Sequence, residues 1–185
     1  MTPPTLIVID VQQAFDDPVW GPRNNPEAED RIAEAIAAWR ERGAPIVHVR
    51  HASSDSDGLF APGSASFEFK PEARPRDDEP IITKHVNSAF IGTDLEARLR
   101  EQGVETVVLA GLITDHCVST TARMSGNLGF ETWVLEDATA TFDRRAPDGG
   151  MIAADAMHRT ELASLHDEFA QVLSTRVAIA RVSRG

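Results

Sequence analysis

A single cysteine stands at position 117, in the stretch GLITDHCVSTT of residues 111–121. An apolar run precedes this stretch and a helical pattern follows it, so we expect Cys117 in the first turn of a helix. There the unpaired N–H groups and the helix dipole favour a thiolate, as does a nearby lysine. A lone cysteine is more commonly a small buried apolar side chain. With Gly111 as a tight exit from the strand and Thr114 as a cap, the strand, turn and helix instead indicate a nucleophile.

Two charged residues stand at comparable places earlier in the chain. Asp10 ends the apolar run LIVID, and Lys84 ends the run IITK. An acid at a strand end is often structural, but a lysine beside it would keep the carboxylate ionised and add positive potential. Phosphotransfer fits poorly, because Gln12 stands at the second acid of a DxD motif and Lys84 stands where a receiver domain would want an acid.

The elements that must position these side chains are predicted from hydropathy. Short β-branched runs without strict alternation are typical of strands covered on both faces in a parallel sheet. They occupy residues 5–9, 45–49, 80–83, 106–110, 132–135 and 171–174. Helical patterns fill most of the intervals. The sequence therefore predicts an α/β fold with three layers, α/β/α, and a doubly wound, mainly parallel, six-stranded sheet.

Capping residues and glycines mark the predicted helix ends. We expect Asn25 to cap the first helix, Pro26 to begin it and Gly43 to end it. Three further helices are predicted: one with a Thr93 and Glu96 capping box that ends at Gly103, one over residues 115–128 that stops at Gly129, and one within residues 150–168 with Ile152, Leu162 and Leu165 facing inward.

Ligands of open parallel sheets bind beyond the carboxyl ends of the strands. The polar groups expected there are Asp10, Arg50, His51, Lys84, residues 111–117 and Asp137. Residues 50–80 carry no helical period, and structureless segments of this length in compact domains usually serve function. We expect this segment to form a pocket wall or an interface.

Composition limits the classes of partner. The chain has 185 residues, of which 42% are hydrophobic and 25% charged, as expected for one globular domain over residues 1–185. A net charge of −11 disfavours nucleic acid and anionic membrane surfaces as partners. No apolar run approaches the roughly 20 residues that span a bilayer, and one cysteine cannot form an internal disulfide. We therefore expect a cytoplasmic protein.

No cofactor is predicted. Neither the GxGxxG nor the GxxxxGK[ST] phosphate loop occurs, and the six histidines show no spacing that would assemble a zinc site. We expect no metal and no nucleotide cofactor.

The chain resembles the isochorismatase-like cysteine hydrolases over nearly its whole length, in the stretches IDVQQAF, HVRH, KHVNSAFIGTDLEARL, VLAGLITDHCVSTTARM and LEDATATF. This family includes nicotinamidases, carbamoylsarcosine-type amidohydrolases and isochorismatases. The resemblance implies that Asp10 is the general base, that Lys84 positions it and that Cys117 is the nucleophile. It also implies a cis peptide between Leu112 and Ile113, and an oxyanion hole formed by the backbone N–H groups of Ile113 and Cys117.

One branch of that family fits less well. Nicotinamidases keep metal-binding Asp and His residues after the second strand, where this chain reads VRHASSDSD. The HVRH opening is similar to that of the metal-free branch. The side chains expected at the pocket mouth are Phe15, Trp20, His51, Phe60, Asn87 and His116.

The resemblance further implies a homo-oligomer, either a dimer or a tetramer. Trp20, Phe67 and Phe69 stand in predicted loops. These residues are explained equally well by exposure in a subunit interface and by packing in the core.

Three functions remain open for a small-molecule substrate. The first is a metal-independent cysteine hydrolase that cleaves a C–N bond of a small amide, carbamoyl or ureido compound through a thioester. The second is an isochorismatase-type vinyl ether hydrolase, in which the acid matters and no nucleophilic thiol is needed. The third is a catalytically idle small-molecule-binding module.

Overall fold

The strands of the protein were assigned in a computed structural model that describes residues 2–182. Residues 1 and 183–185, which the single-domain prediction includes, lie outside the described part. The strands are β1 (Thr5–Ile9), β2 (Ile46–His51), β3 (Ile81–Lys84), β4 (Thr106–Leu112), β5 (Glu131–Ala140), β6 (Arg144–Arg145), β7 (Met151–Ile152) and β8 (Gln171–Leu173).

Six of these strands form one sheet in the order β3-β2-β1-β4-β5-β8. All neighbouring pairs in it are parallel, whereas β6 and β7 form a separate antiparallel pair. The order reverses direction between β1 and β4, which are the two central strands. The prediction of a doubly wound α/β fold is confirmed, and its switch point lies where β1 and β4 end.

Five α-helices cover the sheet: α1 (Ala28–Glu41), α2 (Leu95–Glu101), α3 (Ser119–Asn127), α4 (Ala154–Leu165) and α5 (Thr175–Val182). Successive side chains of β1 point to opposite faces of the sheet. Ile7 and Ile9 belong to the core cluster with α2, α3 and α4, while Leu6 and Val8 belong to the cluster with α1 and α5. Full burial of one such side chain stabilises the fold by about 1.5–3 kcal/mol, so both faces hold β1 in place.

Two predicted helix starts were wrong, because the expected capping side chains bond to other groups. Asn25 has a φ of 42° and its amide donates to the carbonyl oxygens of Glu136 (3.0 Å) and Thr139 (2.8 Å), so α1 begins at Ala28. The Thr93 hydroxyl donates to the carbonyl oxygen of Ala89 at 2.6 Å, and Glu96 pairs with Arg100 instead.

Two other positions also differ from the prediction. Ile152 belongs to the β7 hairpin strand and is exposed, whereas Leu162 and Leu165 are buried as expected. Strand β5 continues to Ala140, so Asp137 lies inside it, and its carboxylate accepts from the N–H and the hydroxyl of Thr175, each at 2.7 Å. Asp137 therefore holds the start of α5.

The aromatic residues considered for an interface are mostly internal. Phe67 and Phe69 are only 5% and 7% exposed, because Phe67 packs against the guanidinium of Arg50 and Phe69 against the ring of His48. The core-packing interpretation of these two residues is the correct one.

Among residues 2–182, no helix combines the length and apolar character needed to cross a membrane.

Candidate active site

Asp10 follows the last residue of β1 directly, at the switch point of the sheet. Its N–H donates to the carbonyl oxygen of Val49 at 2.8 Å, which fixes it against β2. Its φ is 52°, in the left-handed region that non-glycine residues seldom occupy and that is enriched at functional sites. The side chain is 1% exposed.

Lys84 ends β3 and is fully buried. Its Nζ lies 2.6 Å from Oδ2 of Asp10. The same atom donates to Sγ of Cys117 at 3.2 Å and lies 3.2 Å from Nδ1 of His51. A buried ammonium is tolerated only when it is paired and hydrogen-bonded, and these contacts supply three partners.

Cys117 lies in a π-helical turn, Thr114–Val118, that comes directly before α3. The carbonyl oxygen of Ile113 accepts from the N–H groups of His116 (3.2 Å) and Val118 (3.3 Å). The Cys117 N–H between them makes no such bond to Ile113, and π-helical turns of this kind occur frequently at functional sites. Thr114 does not cap this turn as predicted, because Oγ1 of Thr114 lies 2.8 Å from Nδ1 of His158 and Ile113 stands at the cap position.

Close packing of two strands brings the Cys117 turn to Asp10. Gly111 has a φ of 130°, and a Cβ there would lie 2.0 Å from the carbonyl oxygen of Ile9. Only glycine fits this approach. The peptide bond between Leu112 and Ile113 is cis, as the family resemblance implied.

The thiol does not have the lowered pKa that its place near a helix start predicted. Burial, together with the negative charge of Asp10, raises the pKa of Cys117 to about 12, and Lys84 only partly opposes this. Burial also raises the pKa of Asp10, against the attraction of Lys84. The resting nucleophile is therefore a thiol beside a carboxylate of increased basicity.

His51 is held in its neutral form. Burial and the positive charge of Lys84 lower the pKa of His51 to about 4. Because the ammonium of Lys84 is a donor, Nδ1 of His51 must accept, so the ring proton is on Nε2.

A small pocket of about 130 Å³ opens above these groups. It is lined by Asp10, Phe15, Trp20, His51, Phe60, Asn87, Ile113, His116 and Cys117. All six side chains predicted for the pocket mouth are among them, while Lys84 is buried behind the wall. The structure thus brings together the predicted chemical groups and the predicted pocket residues.

One wall of the pocket is aromatic. The ring centroid of Phe15 lies 5.1 Å from that of Trp20 and 5.2 Å from that of Phe60. The indole N–H of Trp20 donates to the carbonyl oxygen of Ala14 at 2.8 Å, so the one polar atom of this side chain is already used. Flat apolar groups pack well against such rings.

Gln12 was missed as a positioning residue. Its buried side-chain amide donates to the carbonyl oxygens of His51 (3.1 Å) and Phe67 (2.9 Å), while Oε1 accepts from the N–H of His51 at 2.8 Å. Sequence reasoning used Gln12 only to exclude phosphotransfer. The signal that could have indicated it is a polar residue two positions after Asp10, just beyond the apolar run LIVI.

The segment after β2 is anchored a second time near its end. Lys70 is buried and its Nζ contacts Asp16 (2.5 Å) and Glu29 (2.7 Å). Glu29 also pairs with Arg23 at 2.7 Å, and these two cations hold the pKa of Glu29 at about 2 although burial opposes them. The segment forms a pocket wall through Phe60, as expected.

Arg50 lies outside the pocket. Its Nε donates to the hydroxyl of Thr83 at 3.0 Å and its guanidinium lies 4.6 Å from the ring centroid of Phe67.

In the described part of the chain, no group of three or more His, Cys, Asp or Glu side chains is arranged to hold a metal ion.

Comparison with known proteins agrees with this geometry. Residues 4–177 match the isochorismatase domain. The chain belongs to the isochorismatase family. Within this family it is 49% identical over 170 residues to the uncharacterized protein YrdC of Bacillus subtilis, covering 92% of this chain and 91% of that protein.

Solved structures of the family share the fold. An isochorismatase-family protein from Chromobacterium violaceum has a TM-score of 0.98 and 44% identity, covering 100% of this chain and 96% of that one. A cysteine hydrolase from Pseudomonas syringae has a TM-score of 0.88 and 25% identity, covering 97% and 92%. The chain is thus an isochorismatase-family hydrolase with a cysteine hydrolase among its structural relatives.

Proposed function

We propose that the protein is a metal-independent cysteine hydrolase that cleaves the C–N bond of a small amide, carbamoyl or ureido compound. One observation carries this proposal: a single ammonium, Nζ of Lys84, lies 2.6 Å from the Asp10 carboxylate and 3.2 Å from the Cys117 sulfur, directly behind the wall of a small pocket. A base, a cation and a nucleophile within contact of one another are the components of covalent catalysis.

The first step forms the nucleophile. Because the pKa of Cys117 is about 12, the thiolate must be produced during attack, when Asp10 accepts the thiol proton. The raised pKa of Asp10 makes it a stronger base than an ordinary carboxylate. Lys84 stays beside both groups, so it stabilises the negative charge wherever it resides.

The second step is attack on the substrate carbonyl carbon. A C–S bond forms and the carbonyl oxygen becomes an oxyanion. Within residues 2–182, the N–H of Ile113 has no hydrogen-bond acceptor, and the Cys117 N–H is not bound to the Ile113 carbonyl. These two N–H groups are the proposed oxyanion hole, and removing one such donor typically reduces kcat about 100- to 1000-fold.

The C–N bond then breaks. Asp10 returns its proton to the nitrogen, and an amine or ammonia leaves while the acyl group remains on Cys117 as a thioester. Amide nitrogen is a poor leaving group unless it is protonated, so a carboxylic acid next to the sulfur suits this bond. Asp10 next takes a proton from water, the hydroxide cleaves the thioester, and Asp10 reprotonates the released thiolate.

Mass spectrometry of the acyl-enzyme tests this proposal. The wild-type protein is mixed with a panel of small amides and carbamoyl compounds, and ammonia release and intact mass are followed. We expect a mass increase equal to the acyl group on Cys117, and loss of both signals in Cys117→Ala.

Two other outcomes would contradict covalent amide cleavage. If Cys117→Ala still hydrolysed isochorismate, the vinyl ether reaction would replace it. If no compound were turned over by the wild-type protein and no adduct formed, the idle binding module would be favoured.

A further inference from the structure

The pocket offers no free positive charge to a substrate. Among its nine lining residues there is one carboxylate, Asp10, and neither a lysine nor an arginine. The nearest ammonium, on Lys84, is fully buried and already contacts Asp10, Cys117 and His51. At 2.6 Å the charges of Asp10 and Lys84 largely cancel for any group farther away.

The two histidines of the pocket wall do not supply that charge at neutral pH. His51 has a pKa of about 4 and accepts from Lys84. Burial is also the largest effect on His116, whose pKa is lowered from its usual value. Arg50, next to His51 in the sequence, donates to the hydroxyl of Thr83 at 3.0 Å, and Arg144 is paired with Asp115 at 3.2 Å. A carboxylate in the pocket would therefore lose hydration without gaining a counterion.

The remaining wall suits a flat apolar group. Phe15, Trp20 and Phe60 present their rings around one side, with the Trp20 and Phe60 centroids 6.3 Å apart. The His51 ring packs edge-to-face against Phe60, with the centroids 5.3 Å apart, and its Nε2–H is a donor with no assigned partner in the proposed mechanism. Such a donor satisfies an uncharged oxygen or nitrogen acceptor without introducing a charge.

We propose that this pocket selects uncharged amides that carry an aromatic or similarly flat apolar group, and that it discriminates against amides that carry a carboxylate. The inference rests on the proposed function for the bond that is cleaved. The selection itself concerns binding, so it is measurable in a protein that does not turn over.

The test compares two probes that differ by one carboxylate, benzamide and 4-carbamoylbenzoate. Binding of each to the full-length Cys117→Ala protein is measured by titration calorimetry at pH 7.5. We expect benzamide to bind about tenfold more tightly or better, because the second probe must bury an unpaired charge.

A pair of charge-insertion variants makes the test specific. Asn87 lines the pocket and is exposed, so Asn87→Arg places a guanidinium at the mouth without disturbing the core. In the Cys117→Ala background this change should bring the affinity for 4-carbamoylbenzoate to that for benzamide or above it. Ile81→Arg, on an exposed β3 position away from the pocket, adds the same charge and should leave the ratio unchanged.

The outcomes separate the two proposals. If the Cys117→Ala protein bound 4-carbamoylbenzoate as tightly as benzamide, or bound neither at millimolar concentration, the substrate selection would be wrong. If benzamide bound preferentially but the wild-type protein released ammonia from no uncharged amide, the selection would stand and the proposed hydrolysis would fail.

Discussion

The backbone of Gly111 in β4 passes so close to β1 that a Cβ at this position would lie 2.0 Å from the carbonyl oxygen of Ile9. Ile9 immediately precedes Asp10, and Gly111 leads into the turn that carries Cys117. The closest strand contact in the site therefore sets the spacing between the proposed base and the proposed nucleophile.

Gly111→Ala should be severely destabilising, by about 4 kcal/mol or more, since neither backbone can move without separating the central strands. Gly129→Ala is the matched control: its φ is +85° with no atom within 4 Å of the added Cβ, so it costs only the left-handed conformation, about 1–2 kcal/mol. Urea denaturation of both variants gives the comparison. Equal losses would mean that the strand approach is not a constraint.

Alkylation of Cys117 should report a thiol and not a thiolate at neutral pH. Because burial and Asp10 raise its pKa to about 12, the rate of reaction with iodoacetamide should keep increasing above pH 9. Intact mass follows the reaction cleanly, as the sequence holds one cysteine. A rate that reached its plateau below pH 8.5 would contradict the raised pKa.

Variants of Asp10 and Lys84 should show different effects on the free energy of unfolding and on turnover. Lys84→Met leaves a buried carboxylate without its counterion and should lower the free energy of unfolding by about 3–5 kcal/mol. Adding Asp10→Asn removes that charge and should restore most of the loss. Both variants should nevertheless reduce turnover about 100-fold or more, because the first lacks the cation beside the proposed general base and the second lacks both groups. Recovery of activity in the double variant would show that neither group takes part.

The loss of folding stability at acid pH should come in part from Glu79. Arg40 binds this carboxylate at 2.7 and 2.8 Å, and its hydrogen bonds, with one from His48, hold the pKa of Glu79 at about 2 against the opposing effect of burial. The folded-state pKa lies below the unfolded value of 4.5, so the stabilisation is present above pH 4.5 and is lost as the pH falls toward 2.

Urea denaturation at pH 6, 4 and 3 checks this expectation. Glu79→Gln should be less stable at pH 6 and should show a smaller further loss at pH 3 than the wild-type protein. Glu34→Gln, on the exposed side of α1, serves as control and should follow the wild-type curve. A Glu79→Gln curve parallel to the wild-type curve would exclude this contribution.

The strands and the site residues were predictable because each depends on local pattern or on a motif. The β-branched runs placed β1 through β4 within two residues of their observed ends, and Asp10, Lys84 and Cys117 were identified from their positions after such runs. Asn25 failed as a cap because its side chain binds carbonyl groups that come close only in the folded chain. The Thr93 hydroxyl donates to the carbonyl oxygen of Ala89, four residues earlier, and the cap position of the helix lies one residue beyond the predicted one.

The pKa of Cys117 could not be predicted for a related reason. A helix start and a lysine lower a thiol pKa, and both signals can be read from the sequence. The larger opposing effects are burial, which exists only in the folded chain, and the charge of Asp10, which stands more than a hundred positions away. The role of Gln12 likewise could not be predicted, because its partners His51 and Phe67 come close to it only in the folded chain.

Gln12 and Lys70 fasten the two ends of the segment after β2, and between them only Phe60 lines the pocket. The tip, residues 53–59, is exposed at residues 54–57, and its ends are joined by the hydrogen bond that the Ser53 N–H donates to the Phe60 carbonyl oxygen at 3.0 Å. The tip can therefore vary in sequence, whereas the anchored ends of the segment cannot. Exchange of the tip would move Phe60 at the entrance while Asp10, Lys84 and Cys117 stay fixed, so descendants of one ancestral protein would acquire new ligand preferences by altering a few surface codons.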